Sequence, residues 1–375
     1  MEPRTRILII DDNANDVAVT RRFLERRGHE VLPAHSGEEG LLLAAQSTPD
    51  AVIVDYRMPG MDGLEVTRRL KADPQLASIP ILMLTGSDSP EHVVLGLEAG
   101  ADDFVTKGSD AEALNARLRA LLRMKAYQDR LRHMNQQMTR DLQIARRVQE
   151  ALVPERAFAS PHAEIRSAYI PSAVLSGDFY DYFVHESQTY LFVADVSGHG
   201  LPAAILVSLL KSYIHTEVAA ERSLSELMTR LNDFLYSVSL PTQFATAQVF
   251  RVEDHRLVYS NAAHPAFLLH RRSSGETIVL EQPSNLLGAM PGMQFDEHSL
   301  EIEAGDTLFV YTDGLTDRRT EAGEFYTIDR VSALLAAGAD AGVAPLYESV
   351  YGDVSGFPST EEFRDDIAFV LARFR

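Results

Sequence analysis

The stretch Val54–Gly63, VDYRMPGMDG, follows three further apolar residues, so that the run Ala51–Val54 closes on Asp55. Outward from it, between Arg6 and Arg123, the short apolar runs Ile7–Ile10, Ile81–Leu84 and Phe104–Val105 alternate with helical patterns. Strands separated by helices imply a parallel sheet with helices on both faces, a doubly wound five-stranded α/β domain. Asp11 and Asp12 close the first strand, and Thr85 and Lys107 close the two strands that follow Asp55. In a parallel sheet all five reach one carboxyl edge, where open α/β folds place their ligands.

Three crowded carboxylates repel one another unless a hard cation lies among them, and Mg²⁺ with oxygen ligands is its natural occupant. The cation would neutralise an incoming phosphoryl group, Lys107 would pair with its oxygens, and Asp55 would attack phosphorus to give an acyl phosphate. A single aspartate at a strand end is more often a turn former or helix cap. Five such residues in this order are not explained that way. Residues 6–123 resemble a response-regulator receiver, with LIIDD (Leu8–Asp12), VDYRMPGMDG, Thr85 and Lys107 in order. The resemblance implies that Asp12, Asp55 and the backbone carbonyl of Arg57 ligate Mg²⁺ and that Asp11 assists through water. It makes Asp55 the phosphoacceptor, with a histidine kinase or other phosphodonor as partner. Thr85 and Phe104 fall on the hydroxyl and aromatic switch positions. One departure stands out: Gly108 follows Lys107 where receivers usually carry proline, so the aim of Lys107 is less fixed.

At 375 residues and 45% hydrophobic content the chain is long enough for two cores. Its formal charge of −19 disfavours nucleic acid as a partner. The absence of cysteine excludes disulfides, zinc-thiolate sites and thiol nucleophiles. No apolar stretch reaches the roughly 18 residues of a membrane span, so a soluble, cytoplasmic protein with no membrane partner is expected.

From Ser109 to about Val153 the pattern is helical and highly charged, without glycine or proline until Pro154. Leu131, Met134, Met138, Asp141, Ala145, Val148 and Leu152 follow a three-four spacing that suits a coiled coil and a homodimer. A single helix packing on its own domain fits the same spacing. Residues 124–155 are therefore read as a helical linker, and 156–375 as a second domain. There, strand patterns at Tyr190–Val193, Thr246–Val252, Leu308–Tyr311 and Ile367–Leu371 surround helices at Leu201–Val218 and Leu224–Val238. This is an α+β pattern. Gly352–Thr360 reads as a mobile loop.

Four aspartates in this half sit at strand ends or beside glycine: Asp178 in SGDFYDYF, Asp195 in VADVSGHG, Asp313 in VYTDGLTD and Asp365 in RDDIAFV. Such acids are poorly suited to burial unless they hold a cation, and four of them suggest a two-metal pocket acting on a phosphate monoester. No nucleophile elbow or phosphate-binding loop competes for the chemistry. Gly177–Phe179 alone is similar to a diguanylate cyclase signature, to which the other acidic motifs do not belong. From about residue 139 to the C-terminus the ordered set is similar to the stress-response and sporulation branch of the metal-dependent PPM/PP2C-type serine/threonine phosphatases, a β-sandwich flanked by helices. DLQIARRVQEALVP (Asp141–Pro154) is similar to that branch's regulatory linker. The resemblance implies two Mn²⁺ or Mg²⁺ ions, with Asp195 bridging both and joined by the carbonyl of Val196, Asp178 on one, and Asp313 and Asp365 on the other. Ser176, Ala368 and Asp317 depart from the usual pattern without removing a ligand. His199 and Asp366 are candidates for proton handling or for structure.

The expected function is a response regulator whose Asp55 phosphorylation controls a phosphoserine/phosphothreonine phosphatase. Family likeness points to an anti-sigma-factor antagonist as substrate. The competing reading is a non-enzymatic adaptor that holds a sigma or anti-sigma factor, which would have no need of the metal-binding acids.

Overall fold

The computed structural model describes residues 5–86, 90–108, 110–198, 200–220, 223–358 and 365–375. They form two compact units, Met1–Met138 and Thr139–Arg375. Among the described residues no helix is long and apolar enough to cross a membrane.

The first unit runs β1 (Arg6–Ile10), α1 (Ala14–Glu25), β2 (Glu30–Ala34), α2 (Gly37–Ser47), β3 (Ala51–Asp55), α3 (Gly63–Ala72), β4 (Ile81–Thr85), α4 (Pro90–Glu98), β5 (Asp103–Thr106) and α5 (Ala111–Leu152). Its strands lie parallel in the order β2-β1-β3-β4-β5. The three central strands are apolar apart from Arg6, Asp55 and Thr85 at their ends because both faces are covered: Leu8, Val52, Val54 and Met83 pack one side, and Ile7, Ile53, Leu82 and Leu118 the other. The loop after β3 shows why its sequence ends MDG. The Asp62 carboxylate accepts from the Glu65 amide at 2.8 Å and caps α3. A Cβ on Gly63 would lie 2.1 Å from the Asp55 carbonyl oxygen, so only glycine lets α3 start beneath the strand end.

Helix α5 continues without a break past the division between the units. Along its three-four seam Leu131, Met134, Met138 and Val148 are between 58% and 64% exposed in the single chain. Ser109, where the sequence pattern begins, lies outside the described residues.

The second unit continues with β6 (Ala157–Ala159), β7 (Ala163–Ile170), β8 (Asp178–His185), β9 (Gln188–Val196), α6 (Leu201–Val218), α7 (Leu224–Val238), β10 (Ala245–Glu253) and β11 (Arg256–Ala262). Then come β12 (Phe267–His270), β13 (Thr277–Leu280), β14 (His298–Glu301), β15 (Thr307–Tyr311), α8 (Ile328–Ala337), α9 (Val343–Gly356) and β16 (Ile367–Phe374). Two antiparallel sheets, β14-β11-β10-β9-β8 and β13-β12-β15-β16-β7-β6, enclose a core containing Tyr182, Val193, Phe250, Phe267 and Val370. Helices α6 and α7 cover the outer face of the first sheet, and α8 and α9 that of the second. Alternate strand residues therefore serve two apolar layers, which is why the strands show few exposed positions. The loop expected at Gly352–Thr360 is not what forms: Gly352–Gly356 complete α9, because Tyr347, Val350 and Val354 on that helix are buried against the second sheet. Packing outweighs glycine's weak helix propensity there, and 359–360 lie outside the described residues.

His264 is buried beside this core, with Nδ1 at 2.7 Å from the Thr246 hydroxyl, and burial pushes its pKa down to about 3. The folded value lies below the unfolded one, so its contribution to stability is complete above about pH 6.5 and is lost as the pH falls below it. Each unit of that fall removes about 1.4 kcal/mol. Between pH 6.5 and 5 the urea midpoint of the second unit is expected to drop by the equivalent of about 2 kcal/mol more in the wild type than in His264→Gln. Parallel pH profiles for the two proteins would contradict this.

Candidate functional sites

In the first unit one oxygen each of Asp11, Asp12 and Asp55 lies within 4.8 Å of the others, and no other trio of His, Asp or Glu among the described residues meets that spacing. The ends of β1 and β3 are adjacent in the sheet, which brings the three together. Lys107 reaches in from the end of β5, with Nζ 2.8 Å from Asp11 Oδ2, 2.7 Å from Asp55 Oδ2 and 3.4 Å from Asp16 Oδ2. Burial alone would lower the lysine pKa, but hydrogen bonds to Asp11 and Asp55 hold it above the usual ammonium value. Burial raises the pKa of Asp55, against the pull of Lys107 and of the Arg57 amide, which donates to its carboxylate.

Thr85 ends β4 and is 1% exposed, and its hydroxyl makes no hydrogen bond among the described residues. Its carbonyl accepts from the Lys107 amide at 2.6 Å, so the end of β4 fixes the backbone from which the lysine projects. Phe104 is half-buried on β5 with the Arg117 guanidinium 5.5 Å from its ring centre. Gly108 has φ +93°, a conformation closed to proline, whose ring holds φ near −65°. The loop after Lys107 thus depends on the residue that departs from the usual receiver pattern.

In the second unit Asp178 opens β8 directly opposite Asp195 near the end of β9. Opposed residues of an antiparallel pair share a face with Cβ atoms roughly 5 Å apart. Asp313 starts a 3-10 turn after β15, and Asp365 lies just before β16, the strand paired with β15. Gly314 explains the DG pair: a Cβ there would lie 1.9 Å from the Asp366 carbonyl oxygen and 3.3 Å from Asp365 Cβ. Gly177 does the same for the other pair, since its Cβ would lie 2.4 Å from the Val196 carbonyl oxygen. Close backbone packing therefore gathers acids from two sheets at one end of the sandwich.

They repel there. Burial, then Asp195, raises the pKa of Asp178 well above the carboxylate range. Burial, then Asp313, Asp365 and Asp366, pushes Asp195 up to about 7, and burial, then Asp365 and Asp317, raises Asp313. Asp365 itself is exposed.

Thr312 was not read from the sequence. The Thr312 hydroxyl donates to Asp178 Oδ2 at 2.7 Å and accepts from the Ala368 amide at 2.9 Å, tying the two sheets together beneath the acids. Its signal was its place between a buried strand and Asp313. Asp366 is not free for proton transfer: Oδ1 accepts from the amide and hydroxyl of Ser172 at 2.6 and 2.9 Å, and Oδ2 from the Gly177 amide at 3.3 Å. It holds the segment leading to Asp178. His199 lies outside the described residues.

Residues 7–119 match the family described as response regulator receiver domain, and residues 185–375 match the family described as stage II sporulation protein E (SpoIIE). The first region is 45% identical over 117 residues to the transcriptional regulatory protein AfsQ1 of Streptomyces coelicolor, covering 31% of this chain and 50% of that protein. It is 39% identical over 117 residues to the protein PilH of Pseudomonas aeruginosa, covering 31% of this chain and 97% of PilH. The chain thus spans about half of AfsQ1 and nearly all of PilH. The solved SiaA-PP2C domain of Pseudomonas aeruginosa superposes with a TM-score of 0.55 at 20% identity, covering 64% of this chain and 99% of that one. That likeness establishes a PP2C-type fold.

Proposed function

Because the chain belongs to the stage II sporulation protein E family and joins to that region a response-regulator receiver domain, we propose that it is a metal-dependent protein serine/threonine phosphatase controlled by phosphorylation of Asp55. The observation that carries this reading is the buried face shared by Asp178 and Asp195, with Asp313 and Asp365 brought to the same end of the sandwich. Burial, reinforced by the charges of Asp313, Asp365 and Asp366, pushes the Asp195 pKa up to about 7, so its charged form is destabilising there by itself. Their donor set consists of oxygens alone, which fits Mg²⁺ or Mn²⁺. Divalent ions bound there would activate water and neutralise the phosphate of a phosphoserine or phosphothreonine.

Asp195, the Val196 carbonyl, Asp178, Asp313 and Asp365 are the residues that would hold the divalent ions. The chain's own part is to hold these oxygens still. Thr312 occupies one oxygen of Asp178, and Gly177 and Gly314 allow the two backbone crossings to close. Phosphate release from a phosphoserine peptide is expected with Mn²⁺ and is expected to disappear when the ion is chelated. Turnover that survives chelation would contradict the reading.

In the receiver, Asp11, Asp12, Asp55 and the Arg57 carbonyl suit one Mg²⁺, since the three carboxylates meet the spacing of a single-ion site. Asp55 is assigned as the nucleophile: its oxygen forms a bond to phosphorus as the donor's bond to phosphorus breaks, and the donor, a histidine kinase or another phosphodonor, leaves with the electron pair. Lys107, already beside Asp55, pairs with the transferred oxygens, and the unpartnered Thr85 hydroxyl can turn to bond one of them, with Phe104 following. The unbroken α5 is the route by which this change reaches the phosphatase, and its exposed Leu131, Met134, Met138 and Val148 suit a homodimeric coiled coil. An anti-sigma-factor antagonist is the proposed substrate.

A further inference from the structure

In the last turns of α5, Gln149 reaches the segment that precedes Asp178. Gln149 is 6% exposed, and its side-chain amide acts toward Ser176 as a neighbouring β-strand would: Nε2 donates to the Ser176 carbonyl at 2.7 Å and Oε1 accepts from the Ser176 amide at 3.2 Å. Ser176 is completely buried, and its hydroxyl accepts from the Asp178 amide at 3.0 Å. On the far side Gly177 is held by the Asp366 carboxylate and by the Val196 amide, which donates to its carbonyl at 3.0 Å. The segment delivering Asp178 is thus clamped between the sandwich and a helix that begins in the receiver. Lys211 fixes the same helix end by donating to the Leu152 carbonyl.

We propose that Gln149 is a positioning residue through which α5 sets the place of Asp178, and so the affinity of the phosphatase site for its metal. This rests on the assignment of Asp178 as a metal ligand. When α5 is seated, both Ser176 backbone groups are satisfied by Gln149 and Asp178 stands opposite Asp195. When the helix turns or slides, one buried donor and one buried acceptor lose their partners together, and the segment must move to find others. One amide side chain then converts a helix displacement into a change at the acid cluster.

Mn²⁺ affinity measured by calorimetry on the intact chain tests this without recourse to turnover. Gln149→Met keeps the length of the side chain and removes both hydrogen bonds, and is expected to weaken Asp178-dependent Mn²⁺ binding about tenfold. Arg146→Ala, which removes an exposed partner of Glu150 on the same helix, is expected to leave it unchanged. Asp178→Asn separates two failures. If the wild type binds no Mn²⁺ that this variant loses, the metal assignment fails and the inference falls with it. If Asp178-dependent binding is present and Gln149→Met binds equally well, the clamp alone is overturned. Should Gln149→Met not fold, amide exchange in the wild type decides: Mn²⁺ must slow exchange at Ser176 by reciprocity of coupling, and an unchanged rate overturns the proposal.

Discussion

Asp313→Ala is expected to lower Mn²⁺-dependent phosphate release by about a thousandfold, the scale of losing one fixed electrostatic element from a catalytic site. The substitution removes a carboxylate without opening a core cavity, because Asp313 is half-buried at the mouth of a 3-10 turn. Its effect on stability should have the opposite sign. Asp313 is the largest of the charges raising Asp195, so its removal relieves repulsion in the metal-free protein. In chelator the variant should melt no lower than the wild type, while Mn²⁺ should raise its melting temperature less, since stabilisation by a ligand follows its affinity for the folded state. A variant that loses activity only by unfolding in chelator would contradict this account.

Gly314→Ala is expected to cost about a hundredfold in turnover although every acid remains, because a displacement of roughly 1 Å at a reacting centre is worth that much. Gly314 does not take a positive φ, so alanine is not excluded by the backbone conformation. The obstacle is the Asp366 carbonyl oxygen, 1.9 Å from where the methyl group would lie. Relief requires the turn bearing Asp313 to part from the segment bearing Asp365, so the loss should appear as weaker Mn²⁺ binding and lower kcat together. Turnover within twofold of the wild type would show that this crossing does not set the acids.

Both substitutions concern residues that the sequence marks plainly, whereas their partners were hidden. Apolar runs ending in Asp11, Asp55 and Asp195 are local patterns, and they declare both the strand and the acid at its end. Helices α6 and α7 were equally legible, because an apolar face at helical spacing does not depend on the rest of the chain. Strand β2 was harder, since EVLPA contains proline. It is tolerated because β2 is an edge strand, where a missing N–H costs least. Thr312, Asp366 and Gln149 act across separations of 134, 189 and 27 residues, so their roles exist only once the sheets are packed. The glycine beside Asp313 has a steric cause that no local pattern declares: the backbone of Asp366 passes where a side chain would be.

Phosphate release from a phosphoserine peptide in Mn²⁺, with and without beryllofluoride as a phosphoryl mimic, tests the central claim most directly when run on the intact chain and on Asp55→Ala. The account predicts that beryllofluoride changes turnover in the intact chain and has no effect on Asp55→Ala. Equal turnover with and without the mimic in the intact chain, or no turnover under any of these conditions, would contradict it.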